Sequence, residues 1–230
     1  MKEKDSKQKF AIKGFLKAST YAKEGGKEAL ANEIAAMRTV AHPNLMKLFG
    51  VYESKNSVYL CLELLTGGRL LDRMQTKRLD SHRIKTVMRG LLTGLTALHT
   101  AGVMHRDIKP ENLLFRGDDY DCIIGDFGLS ETVKDRLDFY RCGTPGFMAP
   151  EIANLRSAKE GYGPACDLFS AGVVFHMLIL GRAPFGGADQ DEVLRQNKAC
   201  RVDFAAFEYQ QLPPTCIHTT TQGSASSGDS

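Results

Sequence analysis

This sequence lacks the features of a secreted, membrane-spanning or zinc-binding protein. None of its six cysteines forms a CxxC pair, which argues against a zinc site or a disulfide framework and favours a reducing compartment. No N-terminal signal peptide is visible, and the longest apolar run, residues 171–180, is too short to cross a bilayer. Because that run also contains His176, it predicts a buried helix. We expect a protein of the cytoplasm, with the nucleus as an alternative location, and no membrane partner.

Net charge is also small, at +3, and the hydrophobic (43%) and charged (25%) contents are those of an ordinary globular protein. Much of the positive charge comes from six lysines within the first 17 residues. Such a basic start can contact nucleic acid or a membrane, but a solvated strand edge is the more common explanation. The sequence therefore predicts no nucleic-acid partner.

The first part of the chain mixes strand and helix patterns. Short apolar runs at residues 10–12, 45–52 and 58–64 are typical of strands. Between the first two runs, apolar residues recur at helical spacing, which predicts a helix over residues 27–38.

The rest of the chain is mainly helical in pattern. Apolar residues mark one long amphipathic helix over residues 84–98, which Gly102 is well placed to end. Residues 167–180 are apolar nearly all round, so they predict a central buried helix. Two short strands are expected at residues 113–115 and 122–124.

Three motifs in the second half carry chemistry. Residues 105–112, HRDIKPEN, hold Asp107 and Asn112 at the spacing of a phosphoryl-transfer loop. The carboxylate can orient an attacking hydroxyl and accept its proton, and the amide can bind a metal ion. An Asp-Phe-Gly triplet begins at Asp126, 19 residues after Asp107, and an Ala-Pro-Glu triplet ends at Glu151. Three such motifs in this order are not expected by chance.

With these motifs, the chain resembles the eukaryotic protein kinases, and it is most similar to the calcium/calmodulin-dependent and related calcium-dependent serine/threonine kinases. The resemblance extends over about residues 10–212. Further segments that carry it are FAIK at 10–13, HPNL at 42–45, ELLTGG at 63–68, GTPGFM at 143–148 and DLFSAG at 167–172.

The resemblance implies an α+β, bilobal fold. A small β-rich N-lobe would occupy about residues 1–65 and a larger, mainly helical C-lobe about residues 66–212. Residues 213–230 are rich in Ser, Thr and Gly and are expected to form a disordered tail.

The resemblance also implies roles for the polar residues of the motifs. Asp107 would act as the base, and Lys109 would neutralise charge on the transferring phosphoryl group. Asn112 and Asp126 would hold Mg²⁺ between the phosphates of ATP. Thr144 would brace Asp107 from the substrate-binding segment. Lys109 and Thr144 together point to serine or threonine as the acceptor in a protein substrate.

ATP-binding residues follow in the same way. Lys13 would grip the α- and β-phosphates, and Glu33 would hold Lys13 by an ion pair. Glu28 is a rival partner, but it lies too early on the predicted helix. The residues expected around the adenine ring are Glu63 and Leu65 in the linker, through their backbone groups, and Ala11 and Leu114 on the two faces of the ring.

Some family features are not found in the sequence. No glycine stands among the twelve residues before Lys13, where the phosphate-covering glycine-rich loop would be expected. We therefore expect a kinase domain truncated at both ends, with both lobes incomplete. No Ser or Thr lies between Thr132 and Thr144, so the usual activating phosphorylation site is missing, although Arg106 is ready to pair with an anion there.

Two functions from different classes remain open. The first is an ATP-dependent protein serine/threonine kinase, and the second is a catalytically impaired fragment that acts as a protein-interaction module. Small-molecule phosphotransferases are disfavoured because they lack the segment at residues 143–151. No calcium-binding loop of the D-x-[DN]-x-[DN]-G type is present, so any calcium sensor would lie outside this chain.

Overall fold

The computed structural model describes residues 8–132, 141–157 and 160–212, which form a small β-rich lobe and a larger helical lobe. The expected bilobal α+β fold is confirmed. The predicted lobe boundary at residues 65 and 66 falls in the connection between the last strand of the small lobe and the first helix of the large one. The predicted tail at residues 213–230 lies outside the described residues.

The small lobe is built on a three-stranded antiparallel sheet. Its strands are β1 (Phe10–Leu16), β2 (Leu48–Glu53) and β3 (Ser57–Glu63), in the order β1-β3-β2. A short helix α1 (Lys17–Tyr21) and the longer helix α2 (Gly26–Thr39) follow β1. Helix α2 contains the helix predicted over residues 27–38, and it buries Leu30 and Met37 from the predicted apolar stripe.

The prediction of a strand from residue 45 was wrong at its beginning. Strand β2 starts only at Leu48, because the preceding residues cross between the lobes instead of joining the small sheet. Leu45 forms an isolated parallel bridge with Ile124, and the amide of Met46 donates to the carbonyl oxygen of Ile124 at 2.8 Å. An apolar run can bury its side chains in either setting, so the pattern alone does not separate them.

The large lobe consists of helices with two short β-pairs on the side that faces the small lobe. Its helices are α3 (Leu70–Thr76), α4 (Ser81–Thr100), α5 (Pro150–Ala153), α6 (Ala165–Leu180), α7 (Gln190–Ala199) and α8 (Phe207–Gln210). Strand β4 (Val103–Met104) pairs with β7 (Glu131–Thr132), and β5 (Leu113–Leu114) pairs with β6 (Ile123–Ile124). The two predicted short strands are present, each one residue shorter than expected.

Helices α4 and α6 form the centre of the large lobe. Asp80 caps α4 by accepting a hydrogen bond from the amide of Arg83 at 2.9 Å, and the helix buries the apolar face that its sequence predicted. Helix α6 packs against α4 and ends at Gly181, whose φ of 73° suits a glycine. Helix α6 also contacts the segment at residues 105–112, through Asp167. Within the described residues, no helix is long and apolar enough to cross a membrane.

Candidate active site

A buried carboxylate holds the segment at residues 105–112 in place. Asp167, in the first turn of α6, is fully buried and accepts hydrogen bonds from the backbone amides of His105 at 2.8 Å and Arg106 at 2.7 Å. The side chain of His99 in α4 lies 2.8 Å from the same carboxylate. Burial alone would raise the pKa of Asp167, but the hydrogen bond with His99, the charge of His105 and the two amides outweigh burial and lower this pKa.

Two residues of the site have a strained backbone. Among the described residues other than glycine, three have positive φ, and two of these are Arg106 (67°) and Asp126 (55°). Such conformations cost free energy for residues with a Cβ and are maintained where the surrounding structure requires them. Both residues belong to motifs singled out in the sequence.

Asp107 is held by three neighbouring side chains. Thr144 donates its hydroxyl hydrogen to Asp107 Oδ1 at 2.6 Å, and Lys109 Nζ lies 2.8 Å from Asp107 Oδ2. Lys109 also donates to the Thr144 oxygen at 2.7 Å, and the Asn112 amide donates to Asp107 Oδ2 at 3.0 Å. The structure therefore brings together all four residues predicted as catalytic, and their contacts fix the orientation of the Asp107 carboxylate.

Lys13 joins the two lobes through a pair of carboxylates. Its ammonium group lies 2.7 Å from Glu33 Oε1 in helix α2 and 2.9 Å from Asp126 Oδ1. Glu33 is buried, whereas the rival Glu28 is exposed in the first turn of α2, so the expected partner is the one in contact. Burial would lower the pKa of Lys13, but Glu33 and then Asp126 outweigh it and raise this pKa. Burial would likewise raise the pKa of Asp126, and Lys13 reverses the shift and lowers it.

A cleft of about 280 Å³ is lined by residues of both lobes, which include charged groups and apolar side chains. Its lining residues are Lys13, Glu33, Met37, Met46, Leu62, Glu111, Asn112, Leu114 and Asp126. A cleft that combines an apolar wall with a few convergent polar groups is the usual form of a small-molecule site.

The residues predicted around an adenine ring are only partly found in this lining. Leu114 lines the cleft, whereas Ala11, Glu63 and Leu65 are not among the described residues that line it. Ala11 of β1 pairs with Leu62 of β3, and Leu62 is one of the residues that line the cleft. Glu63 directs its carboxylate to Arg116 at 2.7 Å and its amide to the carbonyl oxygen of Lys47 at 3.0 Å.

The residues that line the cleft include two possible oxygen ligands for a metal ion. Among the described residues, no group of three or more His, Cys, Asp and Glu side chains could hold a metal ion. Asn112 and Asp126 both line the cleft, however, and each can offer one oxygen. Two oxygen ligands from the protein, with phosphate and water oxygens for the remaining positions, are the set that Mg²⁺ prefers over an all-protein cage. The residues present therefore fit this ion.

Sequence reasoning missed the positioning residues behind these groups. It named Asp167 only as part of the DLFSAG segment and the start of a buried helix, and it gave His99 no role. The available signal was an acidic residue at the start of an otherwise apolar helix, where burial requires a hydrogen-bonding partner. Sequence reasoning also gave Glu131 no role and predicted no strand at residues 131–132.

Comparison with known proteins agrees with the fold. The protein kinase domain family matches residues 1–222. The chain is 39% identical over 211 residues to a calcium/calmodulin-dependent protein kinase type 1 of Caenorhabditis elegans, which covers 90% of the chain and 59% of that relative. It is 38% identical to the human type 1B enzyme, over 74% of the chain and 50% of that relative. A probable myosin light chain kinase of Dictyostelium discoideum is 36% identical, over 88% of the chain and 64% of that relative.

The chain therefore belongs to the protein kinase domain family. The chain is similar in sequence to serine/threonine kinases of the calmodulin-dependent group, as the motifs had indicated. The chain spans between about half and two thirds of the length of these relatives.

Proposed function

We propose that this protein is a serine/threonine kinase that transfers the γ-phosphoryl group of ATP to a hydroxyl group of a protein substrate. The observation that carries the proposal is the contact set of Asp107 with Thr144 and Lys109, at 2.6 and 2.8 Å. A carboxylate held this way presents a fixed acceptor for the proton of an incoming hydroxyl, as phosphoryl transfer requires.

Each of these residues has a definite task in the proposed reaction. Asp107 orients the substrate hydroxyl and accepts its proton. Lys109, whose ammonium contacts both Asp107 and Thr144, brings positive charge to the place where the phosphoryl group passes. Thr144 comes from a separate segment of the chain, so it links the orientation of Asp107 to the region that would receive the substrate. Lys109 and Thr144 support serine or threonine as the acceptor.

ATP would occupy the cleft between the lobes. The apolar wall that contains Leu62, Leu114 and Met46 offers a surface for the base, and Lys13 lies at the charged end, where the phosphates would be. Glu33 holds the ammonium group by charge and hydrogen bonding, so Lys13 is oriented before the nucleotide arrives. We keep Ala11, Glu63 and Leu65 as proposed neighbours of the base. Ala11 pairs with Leu62 of the cleft lining, Glu63 follows Leu62 in the chain, and Leu65 lies in the linker.

Asn112 and Asp126 would hold Mg²⁺ with the nucleotide. The ion, when bound, neutralises phosphate charge and so assists the departure of the nucleoside diphosphate. The Asn112 amide nitrogen donates to the backbone oxygen and to the carboxylate of Asp107, at 2.8 and 3.0 Å. The amide oxygen is therefore the atom left to face a cation, and its direction is set by Asp107.

The names of the relatives suggest one further partner. Kinases that depend on calmodulin respond to a calcium-loaded sensor protein, and the sequence contains no D-x-[DN]-x-[DN]-G calcium loop of its own. We propose that any such sensor is separate from the residues of this chain.

The test is phosphoryl transfer by the purified chain from γ-labelled ATP to a pool of Ser, Thr and Tyr peptides. We expect incorporation on Ser and Thr, and Asp107→Asn should reduce it by at least ~10²-fold because it removes the base. Nucleotide affinity, measured separately with a fluorescent analogue, should be unchanged. Asp118→Asn, the same change at an exposed loop position, is the control.

Three outcomes would reject the proposal. They are equal transfer by the wild type and Asp107→Asn, transfer to tyrosine alone, and no transfer by a wild type that binds nucleotide. The last of these would favour the interaction module.

A further inference from the structure

The guanidinium group of Arg106 is buried beside the catalytic aspartate and has an acidic partner within the chain. Its side chain is 9% exposed, and its Nη2 lies 3.3 Å from Glu131 Oε2. Its other side-chain hydrogen bonds among the described residues go to the carbonyl oxygen of Leu129 at 2.6 Å and the hydroxyl of Tyr162 at 3.0 Å, neither of which carries a formal charge at neutral pH. A buried guanidinium needs an anion, because an unpaired charge in the interior is costly.

Glu131 is held close to Arg106 by the backbone. It lies in strand β7, directly opposite Met104 of β4, and β4 leads into the segment that contains Arg106. The side chain of Glu131 is 22% exposed, so it is screened from solvent more than a surface carboxylate would be. Its placement therefore depends on strand pairing and not on the side chains alone.

The same carboxylate also contacts helix α2. The amide nitrogen of Asn32 lies 3.4 Å from Glu131 Oε1 and 3.5 Å from Oε2, and strand β7 packs against α2. Asn32 precedes Glu33, the residue that orients Lys13. One carboxylate thus contacts the neighbour of Asp107 on one side and the neighbour of Glu33 on the other.

We propose that Glu131 is a positioning residue that supplies Arg106 with its anion and ties helix α2 to the catalytic segment. The inference rests on the proposed kinase function and names how that site is held in its working arrangement. Residues 133–143 contain neither Ser nor Thr, so a phosphorylated Ser or Thr in that segment cannot supply this anion. A carboxylate built into β7 makes the arrangement independent of such a modification.

The link to α2 matters for catalysis because α2 carries Glu33, which holds Lys13. When the charge at position 131 is removed, Arg106 loses its anion and α2 loses a link to the large lobe. Glu33 then holds Lys13 less firmly, which affects the nucleotide more than the protein substrate. Kinetically, kcat/KM for ATP should fall, while KM for the peptide should not change.

The experiment compares Glu131→Gln, Glu131→Asp and Asn32→Ala with the wild-type full chain. Glu192→Gln is the matched control, because it makes the same change in a Glu–Arg pair, with Arg195 at 2.6 Å, on the exposed surface of α7. Two measurements are made on each protein. One is steady-state kinetics with ATP and peptide varied separately, and the other is hydrogen exchange of residues 26–39, with residues 81–100 as an internal reference.

We expect Glu131→Gln to speed exchange in residues 26–39 but not in residues 81–100, and to lower kcat/KM for ATP about tenfold. Glu131→Asp, which keeps the charge, should recover most of that loss, and Glu192→Gln should match the wild type. Wild-type protein treated with phosphatase and shown by mass spectrometry to be unphosphorylated should keep its kcat.

Unchanged exchange of residues 26–39 in Glu131→Gln would overturn the inference, and so would loss of kcat on dephosphorylation. If Glu131→Gln does not fold, Asn32→Ala decides, because it leaves the pair of Arg106 and Glu131 in place. Exchange of residues 26–39 that is no faster in Asn32→Ala than in Glu192→Gln then rejects the link. A wild type without phosphoryl transfer would reject the proposed function alone, since hydrogen exchange still reports on the link.

Discussion

Thr144 and Asp107 are joined by a hydrogen bond of 2.6 Å although 37 residues separate them in the sequence. The bond runs from a hydroxyl to a carboxylate, a combination that gives short and strong contacts. Through it, the segment that precedes α5 helps to set which way the Asp107 carboxylate points. The orientation of the proposed base therefore depends on this tertiary contact as well as on Lys109 and Asn112 of its own loop.

Replacement of Thr144 tests this dependence directly. Thr144→Val keeps the shape of the side chain but removes the hydroxyl, so Asp107 and Lys109 each lose a partner. We expect kcat to fall by about 10²-fold, the cost of a misplaced catalytic group, with KM for ATP unchanged. Thr144→Ser keeps the hydroxyl and should retain most of the activity. A Thr144→Val variant with the kcat of the wild type would show that the hydroxyl is not required.

Glu33 should control nucleotide binding through Lys13. In Glu33→Gln the ammonium group loses its nearest negative charge, and we expect nucleotide affinity to fall about tenfold, typical of a lost charged hydrogen bond. Titration with a fluorescent nucleotide measures this affinity. Glu28→Gln, an exposed position on the same helix, should bind as the wild type does. A loss of the same size in both variants would indicate an effect of helix charge and not of the ion pair.

His176 should make stability depend on pH. It is buried between the carbonyl oxygen of Arg182, at 3.0 Å from Nδ1, and the Tyr209 hydroxyl, at 2.7 Å from Nε2. Burial lowers its pKa, so below about pH 6.5, the ordinary pKa of histidine, the unfolded chain binds a proton that the folded chain does not. Stability should therefore be lost as pH falls below about 6.5, with a slope of at most ~1.4 kcal/mol per pH unit from this group.

Denaturant unfolding across that pH range, with His176→Gln, measures the contribution of His176. The variant should show a flatter dependence than the wild type, while His82→Gln, at an exposed position, should keep the wild-type slope. Parallel curves for all three proteins would assign the acid sensitivity to other groups.

Gly94 should be intolerant of alanine, although alanine is the better helix former. A Cβ at this position would lie 2.9 Å from Ile124 Cδ1 and 3.0 Å from the carbonyl oxygen of Asn44, so α4 could not stay so close to β6. We expect Gly94→Ala to lower the free energy of unfolding by about 1–3 kcal/mol. Gly172→Ala, inside α6 with nothing within 4 Å, should instead raise it by about 0.5–1 kcal/mol. If Gly94→Ala raised the free energy of unfolding as Gly172→Ala does, helix propensity and not the close approach would determine stability at position 94.

The sequence predicted those residues of the site whose position follows from a pattern within a single helix or loop. Helical spacing separated Glu33 from Glu28, because the buried face of α2 can be read from its apolar residues. The motif spacing likewise placed Asp107 and Asn112 on one loop. In each case the information lies within a few turns of one element, which is the range over which periodicity is informative.

Contacts between distant segments were not predictable in the same way. Arg73 is an example, because its guanidinium group lies 3.7 Å from the centre of the Phe115 ring and donates to the carbonyl oxygen of Gly67 at 2.8 Å. Nothing in the sequence distinguishes it from other arginines on exposed helices. The pairing of Arg106 with Glu131 escaped notice for the same reason, since it depends on the register of β4 and β7.

Asp167 holds the catalytic segment by its backbone, and this has a consequence for how the site can change. Amide hydrogens are common to every residue type except proline, so the side chains of His105 and Arg106 can be exchanged without removing the two bonds to Asp167. The path of the loop is thus specified 61 residues away, in α6, while its chemistry is specified locally. A change of side chain at His105 or Arg106 leaves these two backbone bonds in place, whereas position 167 has almost no freedom, because Asn would place an NH₂ group opposite one of two amide donors.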